Sequence, residues 1–407
     1  MTTPRYLTFT GIGAPLSLRC GEDFVDLIRT VLPGWPFQLS DTKPETSTFF
    51  HIDHDSNGSK FRCQDTTISA ARPRILNAVD AVCDLIAAIS RALPAAQPTL
   101  ICLHAAAIEV SGRLIVIPNA RRSGKSTLAA CLAQHGCPIF SDDFLAISFD
   151  AEGRLVGRAN GICPRLRIPL PESLPTEFTS WALSVPGPSN KQYKYLSLDG
   201  LPESGNTLPL GAIVLIDRSE EGTAEFGEIS PDDAMEVLLH QNFTRDIHSG
   251  GVLTVMERLL ATLPTTRLCY SNASEAAAGI IDKFGTWTTP IETNAALAGQ
   301  QFHRATDRQP LQGAINPGNE YSQKQEATAA TIGEAVYISD PNGAGIHRLD
   351  PISRAIWLLL GEPITPDQIV DILQFANPKV PNADIRNDTI QFLNELAHAG
   401  LLVGKTG

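Results

Sequence analysis

The stretch from Leu114 to Gly136 constrains the fold more than any other. Leu114 to Ile117 is a short apolar run that reads as a buried strand, and it passes into Asn119-Ala-Arg-Arg-Ser-Gly-Lys-Ser126. Thr127, Leu128, Ala129, Cys131 and Leu132 continue as a helix, and Gly136 stands where a C-cap belongs. A strand that turns into a helix through Gly-Lys-Ser-Thr cradles polyphosphate, because successive backbone amides and the helix N-terminus point at the anion. Lys125 would reach the β- and γ-phosphates of ATP and the Ser126 hydroxyl would ligate Mg²⁺, with Ser123, Gly124 and Thr127 completing the cradle. The first glycine of the full G-x-x-x-x-G-K-S pattern is replaced by Asn119, the next most tolerant residue for positive φ. Arg121 and Arg122 add charge where nucleotide or acceptor phosphates would lie.

Acids stand at the next strand end. Pro138 to Phe140 reads as a strand that delivers Ser141-Asp142-Asp143, and adjacent side chains on extended backbone diverge. One carboxylate would hold Mg²⁺ while the other faces an attacking hydroxyl, which is nearly all that phosphoryl transfer asks of a protein. Upstream, Ala106 to Val110 and Leu114 to Ile117 flank Ser111-Gly112, a two-residue hairpin signal, and His104 closes the strand that enters this hairpin. Its topology brings it towards the acids. The His51-Ile-Asp-His54 spacing lacks a third ligand nearby and reads as surface strand.

Composition narrows the partners. With 32 Lys and Arg against 44 Asp and Glu, the net charge is -12, a poor background for gripping a phosphodiester backbone. No apolar run is long or clean enough for a signal peptide or a spanning helix, so no membrane association and a cytoplasmic location are expected. The eight cysteines form no Cys-x-x-Cys pair and read as reduced core thiols.

His104-Ala-Ala-Ala-Ile-Glu-Val-Ser-Gly-Arg-Leu-Ile-Val-Ile, the Gly-Lys-Ser-Thr loop and Gly136-Cys-Pro-Ile-Phe-Ser-Asp-Asp143 together resemble the catalytic core of the HPr serine kinase family. The likeness is close over residues 100 to 150 and looser to about 285. It implies that His104 supports Asp142, that Asp142 is the base towards a serine, and that Lys125 and Ser126 hold ATP and Mg²⁺; that leaves Asp143, on the reading of the pair above, as the acid expected to join Ser126 on the metal. The family's glycines at the positions of Asn119 and Arg122 are absent, and so is its later phosphorolysis signature. Arg165, Arg167 and Lys194 are candidates for phosphate or acceptor contacts.

Residues 290 to 329, rich in Ala, Gln, Asn, Thr and Gly, have linker composition. Beyond them, Ala335 to Ser339 and Ile346 to Leu349 flank Pro341-Asn-Gly343, and three helical patterns follow. Thr365-Pro-Asp-Gln368 is a capping box with Pro at the first helical position. The third helix offers Arg386 against Asp384, Asp388 and Glu395, the wrong charge for a DNA-reading helix. Val336-Tyr-Ile-Ser-Asp340, Ile346-His-Arg-Leu-Asp350, Ala355-Ile-Trp357 and Phe392 to Leu402 resemble the PqqD family, whose domains bind leader segments of ribosomally made precursor peptides.

The expected fold is α/β: an N-terminal mixed α/β region (1–99), a P-loop core like that of HPr kinase (100–289), a linker (290–329) and a small winged-helix-like α+β domain (330–407). The expected activity is ATP-dependent phosphorylation of a serine or threonine in a precursor peptide held by its leader. Kinase action on a small-molecule hydroxyl and a non-catalytic, ATP-sensing peptide carrier are the competing readings. Homo-oligomerisation is left open.

Overall fold

The computed structural model describes residues 3–405 with the exception of 56–58, 120–122, 245–246, 308–309 and 312. These residues pack as two compact units. The first holds residues up to 229, then 236–244 and 262–301; the second holds 230–235, 245–261 and everything from 302 onward.

The first unit begins with a mixed sheet in the order Phe37–Ser40, Arg5–Phe9, Leu16–Arg19, Phe50–His54, Phe61–Asp65, Arg74–Leu76. Alternation drives it: Leu7 and Phe9 are buried while Thr8 between them is exposed. Helix Ala78–Ala96 lays Val79, Val82, Leu85, Ile86, Ile89 and Leu93 into the same core. A helical pattern from Pro73 is expected, yet Arg74–Leu76 is a strand paired with Phe61–Cys63, and the helix starts after Asn77, whose side chain accepts from the Asp80 amide. His51 and His54 bond separately, to the Thr48 hydroxyl and the Gly21 amide. Leu100, Cys102, Phe144 and Tyr195 belong to this core as well, so the N-terminal region shares its interior with the next sheet.

That second sheet positions the candidate site. Strand Arg113–Ile117 runs parallel to Thr207–Arg218, which runs parallel to Thr265–Tyr270. On its other side Arg113–Ile117 pairs antiparallel with Ala106–Val110, which pairs antiparallel with Ile139–Ser141. Two antiparallel steps restore the direction, so the chain leaves Ile117 and Ser141 at the same edge of the sheet. Ala106 pairs with Ile117, which brings His104 to that edge too. Carboxyl ends of parallel strands are where α/β sheets bind ligands. The Ser111-Gly112 turn has positive φ at both residues, 49° and 79°, as a two-residue hairpin requires. Helix Lys125–Gln134 covers the sheet with Leu128, Ala129, Cys131 and Leu132 buried.

In the second unit, Thr328–Ile332, Ala335–Ser339 and Ile346–Leu349 form an antiparallel meander, and Glu320–Gln323 pairs with Leu402–Lys405. Helices Pro351–Leu359, Pro366–Ala376 and Asn382–His398 close a core containing Ile338, Leu349, Ile356, Trp357, Leu393 and Leu396. Asp350 accepts from the Ser353 amide and Thr365 and Gln368 form the expected box, so both helix starts follow local chemistry. Two strands, Glu320–Gln323 and Thr328–Ile332, lie wholly or partly in the stretch whose composition reads as linker. Their apolar content is low because only Tyr321, Ala330 and Ile332 face inward. The unit also takes in most of helix Ser249–Thr262, which lies between 245 and 262 in the sequence. The Ser249 hydroxyl donates to the Gly345 carbonyl at 2.8 Å, the Ser249 amide to Gly343 at 3.0 Å, and His248 bonds the Pro341 carbonyl at 2.9 Å.

Candidate functional site

The loop after Ile117 is tied down by a side chain. Asn119 donates through Nδ2 to the Ile216 carbonyl at 2.8 Å and accepts through Oδ1 from the Ile216 amide at 2.9 Å, prolonging the ladder between the two parallel strands. Asn119 therefore contributes its amide group, which a glycine lacks. Arg121 and Arg122 lie outside the described residues. Ser123 has a buried hydroxyl without a protein partner. Gly124 has φ +102°, and the Tyr270 hydroxyl lies 2.8 Å from the point where a Cβ would stand, so both backbone and neighbour demand glycine. Helix Lys125–Gln134 starts there with no side-chain cap, leaving its first amides for an anion. Lys125 is buried and its Nζ donates to the Asn119 carbonyl, folding the ammonium back over the loop. Thr127 is half-buried in the first turn.

The acids occupy distinct settings. Asp142 is 7% exposed; its Oδ2 accepts from the Arg165 amide at 2.9 Å, the Ser126 hydroxyl also hydrogen-bonds its carboxyl, and Oδ1 is buried without a partner. Burial, followed by the neighbouring Asp143 charge, pushes its pKa up from 3.8 to about 6. Asp143 is more open, and its Oδ2 accepts from Arg165 Nη2 at 3.0 Å. Ser126 is expected beside Asp143 as a metal pair; in the fold its hydroxyl meets Asp142, because the Asp142 side chain turns in and that of Asp143 turns out. An inward, unpartnered carboxylate oxygen beside a hydroxyl at the foot of the Gly-Lys-Ser-Thr loop suits a hard divalent cation such as Mg²⁺. Among the described residues no group of three or more His, Cys, Asp or Glu forms an all-protein metal cage. Mg²⁺ rarely uses one when phosphates supply its other ligands.

His104 hydrogen-bonds through Nδ1 to Gln241 Oε1 at 3.1 Å, and its amide donates to the Gln241 carbonyl at 2.8 Å. Gln241 sits at the end of helix Pro231–Gln241, and nothing in its local sequence marks it as a partner of the histidine. Tyr270 escapes a sequence reading for the same reason, since it reaches Gly124 only through the parallel pairing of its strand.

The three basic candidates separate. Strand Arg165–Arg167 pairs with Tyr193–Tyr195, and alternation sends Arg165 and Arg167 to one face and Leu166 and Lys194 to the other. Arg165 joins the acids, Arg167 is exposed with its guanidinium 5.6 Å from the Tyr193 ring centre, and Lys194 Nζ donates to the Leu183 carbonyl at 2.6 Å.

Residues 336–402 match the family described as coenzyme PQQ synthesis protein D (PqqD). The C-terminal domain is PqqD-like. The matched residues run from the middle strand of the meander to the strand that follows the third helix. No curated protein matches the chain. Solved structures similar to parts of it include the following two. TbiB1 in complex with the TbiA(beta) leader peptide is 27% identical, covering 21% of this chain and 99% of that one, with a TM-score of 0.20. The HPr(Ser) kinase/phosphatase from Coxiella burnetii is 12% identical, covering 45% of this chain and 94% of that one, with a TM-score of 0.21. No helix of the described residues is long and apolar enough to cross a membrane.

Proposed function

We propose that this chain is an ATP-dependent kinase that phosphorylates a serine, or a threonine, of a ribosomally made precursor peptide whose leader is held by the PqqD-like domain. The observation that carries the reading is the unpartnered, buried Asp142 Oδ1 beside Ser126, at the strand edge where the Gly-Lys-Ser-Thr loop opens. Burying a carboxylate oxygen with no protein partner is costly, and a cation bound there would relieve that cost.

Lys125 would leave the Asn119 carbonyl for the β- and γ-phosphates, the free helix amides would bind the same oxygens, and Ser126 with Asp142 would hold Mg²⁺. The cation, when bound, neutralises charge on the transferring phosphoryl group. Asp143, more open and fixed by Arg165, would orient the acceptor hydroxyl and take its proton as that oxygen bonds to the γ-phosphorus and ADP departs. This exchanges the roles that the family resemblance implies for the two acids. His104, held by Gln241, would support the pair from the adjoining strand. Arg167 would meet acceptor or nucleotide phosphate.

In the PqqD-like domain, Ile346–Leu349 is an edge strand of the meander, and an extended leader would add to it by strand pairing. A tethered leader raises the local concentration of the acceptor to about millimolar. The test is intact mass of a precursor peptide encoded beside this chain, after incubation with MgATP. A gain of one phosphoryl group that disappears with Lys125→Ala is expected; ATP hydrolysis without a phosphorylated peptide would sink the proposal.

A further inference from the structure

We infer that Arg165 is a positioning residue for the acid pair, and that its guanidinium serves Asp143 in place of a substrate phosphate. The inference rests on the kinase reading for its consequence and on geometry for its substance. One residue binds both carboxylates: the Arg165 amide donates to Asp142 Oδ2 at 2.9 Å and Nη2 donates to Asp143 Oδ2 at 3.0 Å. The rest of the guanidinium is engaged as well. Nη1 donates to Cys83 Sγ at 2.8 Å, and the plane lies 4.6 Å from the Tyr193 ring centre and 6.0 Å from that of Tyr195. The Tyr195 hydroxyl and Cys83 Sγ are 3.2 Å apart, so the groups that hold the arginine are themselves joined. A phosphate is best gripped by two parallel donors on an open fork. Here the fork is split between a thiol and a carboxylate and covered by two rings.

The main-chain bond fixes Asp142 whatever the side chain is, whereas Asp143 depends on the guanidinium. Adjacent carboxylates repel, and without the cation Asp143 has reason to swing away from its neighbour. Positioning of a proton-accepting group changes turnover more than ground-state binding.

The experiment uses the full chain with MgATP and the precursor peptide, comparing Arg165→Gln and Arg165→Lys with the parent. For Arg165→Gln, kcat should fall by about tenfold or more while the peptide KM and the Kd of a fluorescent ATP analogue stay within about twofold. Arg165→Lys, which restores the charge without the fork, should recover part of the loss. A crystal structure of either variant supplies the readout that needs no turnover: Asp143 should leave its position while the amide bond to Asp142 persists. A raised KM or Kd at unchanged kcat would make Arg165 a ligand contact, and an unmoved Asp143 would end the positioning role. A parent protein without transfer activity would defeat the kinase reading alone, since the position of Asp143 would still decide this one.

Discussion

Asp142 couples stability to function at the scale of one residue. Its carboxyl titrates near 6 in the fold against 3.8 ordinarily, chiefly through burial. A carboxyl whose value rises on folding adds stability below its unfolded value, and that stability drains away as pH climbs through the folded value, here between about 4 and 6. Two units correspond to roughly 3 kcal/mol at most. Asp142→Asn should therefore be more resistant to urea than the parent by about 1 to 3 kcal/mol near neutral pH, with the gap closing towards about pH 4. Phosphoryl transfer should be lost in the same variant. Urea curves that superimpose at both pH values would show that the carboxylate is solvated and holds no reserve for a ligand. Gly124 is the second residue with a sharp consequence. Alanine there meets a positive φ of 102° and the Tyr270 hydroxyl at 2.8 Å, so Gly124→Ala should cost about 1 to 3 kcal/mol and abolish nucleotide binding. Adding Tyr270→Phe removes the contact and leaves the φ, and should return only part of the thermal stability.

Elements explain why the loop stands where it does. The parallel ladder between Arg113–Ile117 and Thr207–Arg218 ends at Val116 and Ile213, and Asn119 carries the pairing on to Ile216 through its side chain. Asn119→Ala leaves a buried carbonyl and amide unpaired, a loss of about 1 to 3 kcal/mol. The weaker loop should also release nucleotide faster in stopped-flow displacement. An unchanged off-rate would confine the amide to stability. The strand before the loop, the helix after it and the hairpin at Ser111-Gly112 were legible because each is set by neighbours within a few positions. Asn119 is expected to replace glycine by tolerating positive φ, but it is not among the described residues with positive φ; its part as a stitch was hidden, since Ile216 is 97 positions away. The pairing of Ser126 with Asp142 was hidden too, because the side from which two adjacent acids project depends on how the strand end twists.

The whole molecule departs from a string of separable domains. Residues 245–261 pack with the C-terminal unit, where His248 and Ser249 bond the turn at Pro341, Gly343 and Gly345. Gly343 has no room for a Cβ, which would lie 2.4 Å from the His248 ring. The linker composition of 290–329 leads one to expect that removing 330–407 spares ATP binding. With the packing in view, that deletion strips the partners of His248 and Ser249, at the start of helix Ser249–Thr262. The truncated protein should melt at least about 4 °C lower. A truncated chain that melts like the parent would restore the picture of a separable C-terminal domain.

Local chemistry in the amino-acid order determined the strand, Gly-Lys-Ser-Thr loop and helix, the acid pair at the next strand end, the helix caps at Asp350 and Thr365, and the turn that opens the PqqD-like domain. Each depends on backbone preferences and side-chain reach over a handful of residues. Only the tertiary structure decided that Arg165 serves the acids while Arg167 stays open, that Gln241 holds His104, and that the helix after residue 248 packs with the C-terminal unit. Those outcomes turn on which strands pair and which apolar faces find cover, and both are settled by contacts between residues far apart in the chain.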